Sequence, residues 1–396
     1  MMPGSGAPGR HLTPGERRRV VAVTAGAVLT FLTVRLMRTH GAAGFPVAGA
    51  TFVQASTGLR LYGSSYDGQF IYRLALDPLT RSVTAHGITL DLPAYRQQRI
   101  GTALLAHIVG WLPGVNTAWA LVIVNALAVG VAGVAAASLT AQSGRSLWWA
   151  PVLAVPACLP ISLGRDLTEP VAWAGVLLAL LAARSGRWCW AALALTVAVL
   201  ARESTLLIVG GLGLYAFILL VRREWTALPR LWLAVPVVVE AGWQVYLQHV
   251  WGGPLPLLQG TGNTSSLPAL GVLESFFAGL PADGLAATAL GITYLVERIV
   301  FLTILVCALA QVARRRVNAT PGEQLAWSAV ALLAITLHAW ARDVQFLRAA
   351  NEGWGMSAFI LITGGGTAAR RRVPDIALTA AAGVSLGVTL LYAIRI

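Results

Sequence analysis

Residues 17–37 read RRRVVAVTAGAVLTFLTVRLM, three arginines followed by a nearly continuous apolar run. A helix of about 20 apolar residues is long enough to cross the hydrocarbon core of a bilayer. Arginines beside such a helix are typical of its cytoplasmic end. The segment therefore predicts a first membrane-spanning helix over 20–37, preceded by a cytoplasmic tail over 1–19. Since it shows no small-residue cleavage site, we expect it to be a retained anchor rather than a signal peptide.

The remainder of the chain has the same apolar character. Of its 396 residues, 57% are hydrophobic and 11% are charged, whereas soluble domains carry about 25% charged residues. We therefore expect an all-α polytopic membrane protein in which 20–396 forms a single domain. The net charge of +13 comes from arginines clustered between apolar runs. That distribution indicates membrane topology and does not indicate nucleic-acid binding.

Placing the arginine clusters on the inner side gives a bundle of about eleven transmembrane helices. After the first helix, the predicted spans are 117–140, 147–163, 168–184, 188–201, 204–221, 231–250, 288–313, 324–341, 354–369 and 375–394. Two long connections, about 39–116 and 251–287, then lie on the outer face. Residues 99–113 are apolar but short, and counting them as a span would invert every later marker. We interpret them as a juxtamembrane or re-entrant helix.

All 29 basic residues are arginine. The absence of lysine excludes Schiff-base chemistry and a P-loop lysine. Arginine suits phosphate, because its planar guanidinium stays charged and can bind two oxygens at once. The three cysteines are far apart within apolar runs, which indicates buried side chains rather than disulfides or a metal site.

In this topology, four polar groups from distant parts of the chain meet on the outer face. Each group mixes arginine with carboxylate, whereas the inner turns carry almost no carboxylate. Any one group could simply be solvated, but four on one side favour a shared cavity. The groups are the loop with Asp67, Asp77 and Asp91; Arg165, Asp166 and Glu169; Arg202 and Glu203; and Arg342, Asp343, Arg348 and Glu352.

The first outer segment also carries a family resemblance. Residues 66–78 read YDGQFIYRLALDP, and 94–100 read AYRQQRI. This pattern resembles the front end of bacterial GT-C membrane glycosyltransferases, in particular the group that forms cell-surface glycopolymers. The close match covers about 35 residues. The sequence departs from the pattern at Ile71, where the family usually has a second tyrosine.

The resemblance implies a GT-C-like bundle with a large first extracytoplasmic loop that carries juxtamembrane helices. It implies an enzyme of the inner (plasma) membrane with its active site facing outside. The reaction would move a sugar from a polyprenyl-phosphate donor to a cell-envelope glycan or lipid acceptor, with inversion at the anomeric carbon. The implied general base is Asp67. From the residues alone, a cap on the helix that starts at Gly68 is the more common role for such an aspartate.

The chemistry gives the remaining residues their expected roles. A carboxylate can take the proton of the attacking hydroxyl, and arginines can stabilise the leaving phosphate. Arg96 and Arg99 are spaced to share one helical face, where they would bind the donor phosphate or anchor the loop to lipid. No metal ligand is assigned, although a divalent cation could assist. The expected substrate contacts are Tyr66, Gln69, Arg73, Asp77, Tyr95, Arg96, Arg99, Arg165, Asp166, Glu169, Arg202, Glu203, Arg342, Asp343, Arg348 and Glu352.

Two other functions fit a polytopic chain of this kind. A flippase for a lipid-linked sugar would also gather arginines and carboxylates, but it should show internal repeats and polar groups at mid-membrane. A polysaccharide polymerase or ligase would have outer-face arginines, but its large outer loop usually comes late in the chain. The early loop and the charges at one edge favour the glycosyltransferase.

Overall fold

The computed structural model describes residues 12–259, 267–277, 285–337, 343–364 and 368–394. The fold is 75% helical with very little sheet, which confirms the prediction of an all-α protein. The α-helices are α1 Pro14–Thr39, α2 Gly68–Leu76, α3 Pro93–Gln97, α4 Ile100–Val109, α5 Thr117–Gln142, α6 Ala150–Ala154, α7 Leu159–Leu163, α8 Glu169–Arg184, α9 Trp188–Ala201, α10 Leu206–Val221, α11 Ala234–Trp251, α12 Pro256–Gln259, α13 Leu270–Phe277, α14 Leu285–Ala313, α15 Pro321–Thr336, α16 Asp343–Ala349, α17 Asn351–Ile362 and α18 Ala368–Ile394.

Helix α1 begins where the local sequence predicts a helix start. The Thr13 hydroxyl accepts from the backbone N–H of Glu16, and the Glu16 carboxylate accepts from that of Thr13, which forms a capping box. Pro14 fits the first turn because its missing N–H would have no partner there. His40 ends the helix in the left-handed region, at φ 54°.

Five helices are long and apolar enough to cross a membrane within the described parts of the chain. They cover Pro14–Thr39, Thr117–Gln142, Glu203–Val221, Gly291–Ala313 and Arg372–Ala393, with mean hydropathies of 1.8 to 2.3. Large apolar side chains on the outside of the bundle are exposed, for example Val23 and Leu29. Such surfaces are stable in a bilayer and costly in water. The protein is therefore a membrane protein.

The predicted span over 147–163 is wrong as a continuous helix. It consists of a 3₁₀ helix, Leu147–Trp149, followed by the short helices α6 and α7. The sequence here is WWAPVLAVPACLPISL, with prolines at 151, 156 and 160. Proline lacks the N–H that a helix interior needs and clashes with the preceding turn, so a proline every four or five residues breaks the helix.

The outer segment between α1 and α5 contains α2, α3 and α4 together with two small strand pairs. β1 (Ala48–Gly49) pairs in parallel with β2 (Leu61–Tyr62), and β3 (Thr84–Ala85) pairs antiparallel with β4 (Ile88–Thr89). Helix α2 packs against α4 and α5, and α4 also contacts α9. The segment from 99 to 113 contributes α4, which has only 10 residues, in line with the short helix predicted there.

The bundle brings the ends of distant helices together. α8 packs along α5 and α9, α10 packs along α15, and α14 contacts α17 and α18. All 12 residues of α17 are buried. Side-chain contacts join five places at one end of the bundle: the start of α2, the junction of α3 and α4, the start of α8, the turn after α9 and helix α16.

Candidate functional site

Asp67 precedes the first residue of α2, but its side chain does not cap the helix. The carboxylate is instead shared between two guanidinium groups. Arg96 Nη1 donates to Oδ1 at 2.8 Å, and Arg348 Nη1 donates to Oδ2 at 2.9 Å. The Asp67 side chain remains 28% exposed. The sequence left two roles open for Asp67, a helix cap and a general base. The structure does not form the cap and places the carboxylate in a cluster of arginines.

Gly68 is required by packing against the protein rather than by the approach of a ligand. A Cβ atom at this position would lie 2.1 Å from the carbonyl oxygen of Arg165 and 2.9 Å from that of Pro46. Only glycine permits such a close approach of two backbones. The start of α2 is therefore set directly against the loop that leads into α8.

The aromatic residues beside Asp67 contact arginines. The Tyr66 ring lies 4.2 Å from the Arg165 guanidinium carbon, and its hydroxyl accepts from Arg348 Nη1 at 3.2 Å. Phe70 is buried and lies 4.3 Å from the Arg96 guanidinium carbon. These cation–π contacts stabilise the positions of the arginines around Asp67. In this conformation, the faces of both rings contact guanidinium groups.

Glu169, the first residue of α8, is the centre of the buried part of the cluster. Its Oε1 accepts from Arg202 Nη1 at 2.6 Å and from Arg348 Nε at 2.8 Å, and the side chain is fully buried. Arg202 Nε lies 2.8 Å from Glu352 Oε1, and Arg202 Nη2 donates to the backbone carbonyl of Arg348. Because Arg348 also donates to Asp67, all four polar groups predicted from the sequence have members in one network.

Arg96 and Arg99 lie side by side at the cluster but have different partners. Arg99 donates to both oxygens of Glu203, at 2.8 and 2.5 Å, and to the Tyr95 hydroxyl at 3.2 Å. Arg96 donates to both oxygens of Asp91 at 2.7 Å. Sequence reasoning placed Asp91 in the outer loop but did not assign it to the site. Its position just before Pro93, the first residue of α3, is the signal that would have found it.

A small cavity of about 10 Å³ lies within the cluster. It has room for about one water molecule. Its lining combines charged groups with a few apolar ones: Asp67, Ile71, Tyr95, Arg96, Arg99, Leu167, Thr168 and Arg348.

The charge environment determines the protonation of Asp67 and Asp91. Burial raises the pKa of Asp67, but the positive charges of Arg348 and Arg96 outweigh this effect and leave the pKa well below its ordinary value of 3.8. For Asp91, burial likewise raises the pKa, and the hydrogen bonds and charge of Arg96 lower it further than burial raises it. Both carboxylates are therefore ionised at neutral pH, and Asp67 is a weak base while both arginines hold it.

Several expected substrate contacts lie outside the cavity lining. Gln69 is buried and accepts from the backbone N–H of Gly49 at 3.0 Å. Arg73 is fully buried and donates to Thr80 Oγ1 at 2.6 Å. Asp77 Oδ2 lies 3.9 Å from Arg73 Nη1. Asp166 is buried and has a φ of 53°. The contacts of Gln69 and Arg73 are those of residues that hold the outer segment together.

Two predicted residues cannot be placed. Arg342 and the side chain of Asp343 lie outside the described residues. Within the described residues, no group of three or more His, Cys, Asp or Glu side chains is arranged to hold a metal ion.

Comparison with known proteins gives no family for this chain. No protein-family model matches it, and no curated protein has significant sequence similarity to it. The resemblance to GT-C enzymes therefore depends on the motif over 66–78 and 94–100.

Proposed function

We propose that this protein is an inverting membrane glycosyltransferase of the GT-C type that uses a polyprenyl-phosphate sugar. The observation that carries the proposal is the Asp67 carboxylate held between Arg96 and Arg348, at 2.8 and 2.9 Å. The carboxylate can act as the base, and the permanently charged guanidinium groups can stabilise the leaving phosphate. The proposal includes a bundle of about eleven transmembrane helices in the inner (plasma) membrane, with the cluster on the outer face.

The proposed reaction requires one proton transfer and one displacement at carbon. The acceptor hydroxyl gives its proton to the Asp67 carboxylate while its oxygen attacks the anomeric carbon of the donor sugar. The bond between that carbon and the phosphate oxygen breaks, and the phosphate keeps the electron pair. Arg96 and Arg348 are fixed cations at the position where the phosphate charge grows, which stabilises the transition state. Attack opposite to the leaving group inverts the anomeric centre.

The described conformation is proposed to be a closed state that precedes donor binding. A cavity of about 10 Å³ cannot contain a sugar ring. Asp67 is the more exposed partner in its ion pairs with Arg348 and Arg96, and it occupies the place between them that an anionic phosphate would take. We therefore propose that the donor phosphate displaces Asp67 from Arg348. The released carboxylate becomes a stronger base, so donor binding precedes deprotonation of the acceptor.

The buried ion pairs explain how the arginines keep their positions during this exchange. Glu169 holds Arg348 through Nε, which leaves the other side of that guanidinium directed at Tyr66 and Asp67. Glu203 holds Arg99 with both oxygens. Glu169 and Glu203 are therefore proposed to be positioning residues, and only the arginines would contact the donor phosphate.

The proposal is tested by sugar transfer in membranes that contain the protein, with radiolabelled polyprenyl-phosphate sugars as donors. The wild type should transfer label to an acceptor glycan or lipid, and Asp67→Asn should lower the rate about 10² to 10⁴-fold, the usual contribution of a general base. Glu224→Gln is the matched control, since this exposed carboxylate makes no helix-capping hydrogen bond and lies outside the cluster.

Two results would contradict the proposal. Full transfer by Asp67→Asn would exclude Asp67 as the base. Movement of labelled lipid across vesicles by the wild type, without transfer from any donor, would identify a flippase instead.

A further inference from the structure

A second and much larger cavity, of about 780 Å³, lies at the opposite end of the bundle. It is bounded by the ends of α5 and α8, the starts of α9 and α15, the side of α10 and the 3₁₀ helix Trp225–Leu233. Helix α8 has 16 residues and connects the two sites, with Glu169 at one end and Arg184 at the other. At a rise of 1.5 Å per residue, their backbones are about 22 Å apart. The second cavity is therefore separate from the Asp67 cluster.

The lining of this cavity carries more positive than negative charge. Among the described residues, its lining contains Arg184, Arg187 and Arg230 but a single carboxylate, Glu323. Glu323 is engaged by Arg184, which donates to its two oxygens at 2.6 and 2.9 Å. Neither Arg187 nor Arg230 forms an ion pair within the described part of the chain. Two positive charges are therefore left for an anion.

Arg230 lies against two aromatic rings of the cavity lining. Its guanidinium carbon lies 4.9 Å from the Trp188 ring and 6.0 Å from the Tyr215 ring. Cation–π contacts restrain such a side chain, so less conformational entropy is lost when it binds a ligand. Arg187 is exposed at the start of α9, next to Trp188.

The cavity combines this charged part with an apolar part. Tyr215 lies six residues before the end of α10 at Val221, about 9 Å further into the bundle along the helix axis. Leu212 lines the cavity one turn deeper. Around this end of the bundle, Trp190, Trp225 and Trp232 are exposed. Exposed tryptophans near arginines are typical of the level of the lipid headgroups.

We propose that this cavity binds the phosphate-bearing headgroup of an anionic phospholipid from the leaflet at the arginine-rich end. Basic pockets between transmembrane helices are suited to such headgroups. Arg187 and Arg230 would bind the phosphate oxygens, and the first part of an acyl chain would lie against Tyr215 and Leu212. A soluble phosphate would satisfy the arginines but would leave the apolar wall unfilled, which favours the lipid as the source of the anion.

Lipid binding to the full-length protein in detergent tests the proposal by native mass spectrometry, with phosphatidylglycerol and cardiolipin as anionic probes. Phosphatidylcholine is the neutral lipid control, and inorganic phosphate and ADP are the soluble anions. We expect the double variant Arg187→Gln/Arg230→Gln to weaken binding of the anionic lipids roughly thirtyfold, from the usual contribution of two arginines near a membrane surface. The matched control Arg222→Gln/Arg223→Gln removes two exposed arginines outside the cavity lining and should change binding less than about threefold.

A single variant distinguishes loss of the binding site from loss of folding. Arg187→Gln alone leaves the contacts of Arg230 intact. It should weaken binding of the anionic lipids by about half of the change in binding free energy that the double variant causes. Equal losses in the cavity variant and in the control would overturn the proposal, because they would indicate only a general attraction to a basic surface. Binding of phosphate or ADP as tight as that of the anionic lipids, and equally sensitive to Arg187→Gln, would overturn the assignment to a lipid.

Discussion

The Asp67 carboxylate and the Arg348 guanidinium are separated by 281 residues in sequence and are 2.9 Å apart in the fold. One belongs to the start of α2 in the outer segment, and the other to α16 near the end of the chain. Arg348 Nε also donates a hydrogen bond to Glu169 Oε1 at the start of α8. The site is therefore assembled only when the first outer segment docks on the completed bundle.

This ion pair predicts that removal of the Asp67 charge strengthens phosphate binding although it abolishes transfer. Asp67 competes with the donor phosphate for Arg348, and a charge-assisted hydrogen bond contributes about 1.5 to 3 kcal/mol. We expect Asp67→Asn to bind unglycosylated polyprenyl phosphate at least about tenfold more tightly than the wild type. Equilibrium binding of radiolabelled lipid measures the change, with Glu224→Gln as the control. Weaker binding by Asp67→Asn would mean that the carboxylate helps to hold the donor.

A second prediction concerns the pH dependence of transfer. The pKa of Asp67 lies below its ordinary value of 3.8, so the base is ionised above that pH and is lost only as the pH falls through the depressed pKa. Arg96→Gln removes one of the charges that lower this pKa. The acid limb of kcat/KM should therefore move to higher pH, and a pH profile of transfer measures the shift. Arg81→Gln, an exposed arginine of the same outer segment, should leave the limb in place. A shift to lower pH in Arg96→Gln would contradict the prediction.

The sequence predicted that polar residues from distant segments meet at one end, because helix length and arginine distribution constrain the order of the spans. It placed Asp67, Glu169, Arg202 and Arg348 on one face. It could not predict their pairing, since a carboxylate finds its arginine through the relative rotation and depth of the helices, which composition does not fix.

The role of Gly68 and the break over 147–163 illustrate the same limit. The sequence shows a glycine after Asp67 but does not show that the Arg165 carbonyl passes so close to it. Hydropathy alone favoured one helix over 147–163, whereas the three prolines determine the local backbone. The N–H groups that the prolines lack determine the backbone of this segment more strongly than its average apolarity does.

Glu169 provides a prediction about stability. Its Oε1 is shared by Arg202 and Arg348 and is fully buried. Removal of one partner from a buried ion pair typically costs 3 to 5 kcal/mol, because the remaining charge has no compensation. Asp67 and Glu352 still contact these arginines, so we expect Glu169→Gln to lower the free energy of unfolding by about 3 kcal/mol. Denaturation of the purified protein in detergent measures it. Glu224→Gln should be unchanged, and a similar loss in both variants would contradict the role of Glu169.

Two glycines of the outer segment form a matched pair. A Cβ at Gly68 would overlap the Arg165 carbonyl at 2.1 Å, whereas a Cβ at Gly63 would have no atom within 4 Å. Gly68→Ala should therefore separate α2 from the loop before α8 and lower transfer at least about tenfold, since a displacement of about 1 Å can cost 10²-fold. Gly63→Ala should retain transfer. Proteolysis of the outer segment reports the separation independently of activity, and equal behaviour of the two variants would exclude this packing role.

The last prediction concerns the side of the membrane on which the cluster lies. Arg81 is an exposed residue of the outer segment, and Arg222 is an exposed residue after α10, at the opposite end of the bundle. In a Cys189→Ser/Cys307→Ser background, which removes the two native cysteines that are not buried, Arg81→Cys should react with a membrane-impermeant maleimide in intact cells. Arg222→Cys should react only after permeabilisation, because clustered arginines are retained on the cytoplasmic side. If Arg222→Cys reacted in intact cells and Arg81→Cys did not, the cluster would face the cytoplasm. The proposed transfer to an acceptor outside the membrane would then be excluded.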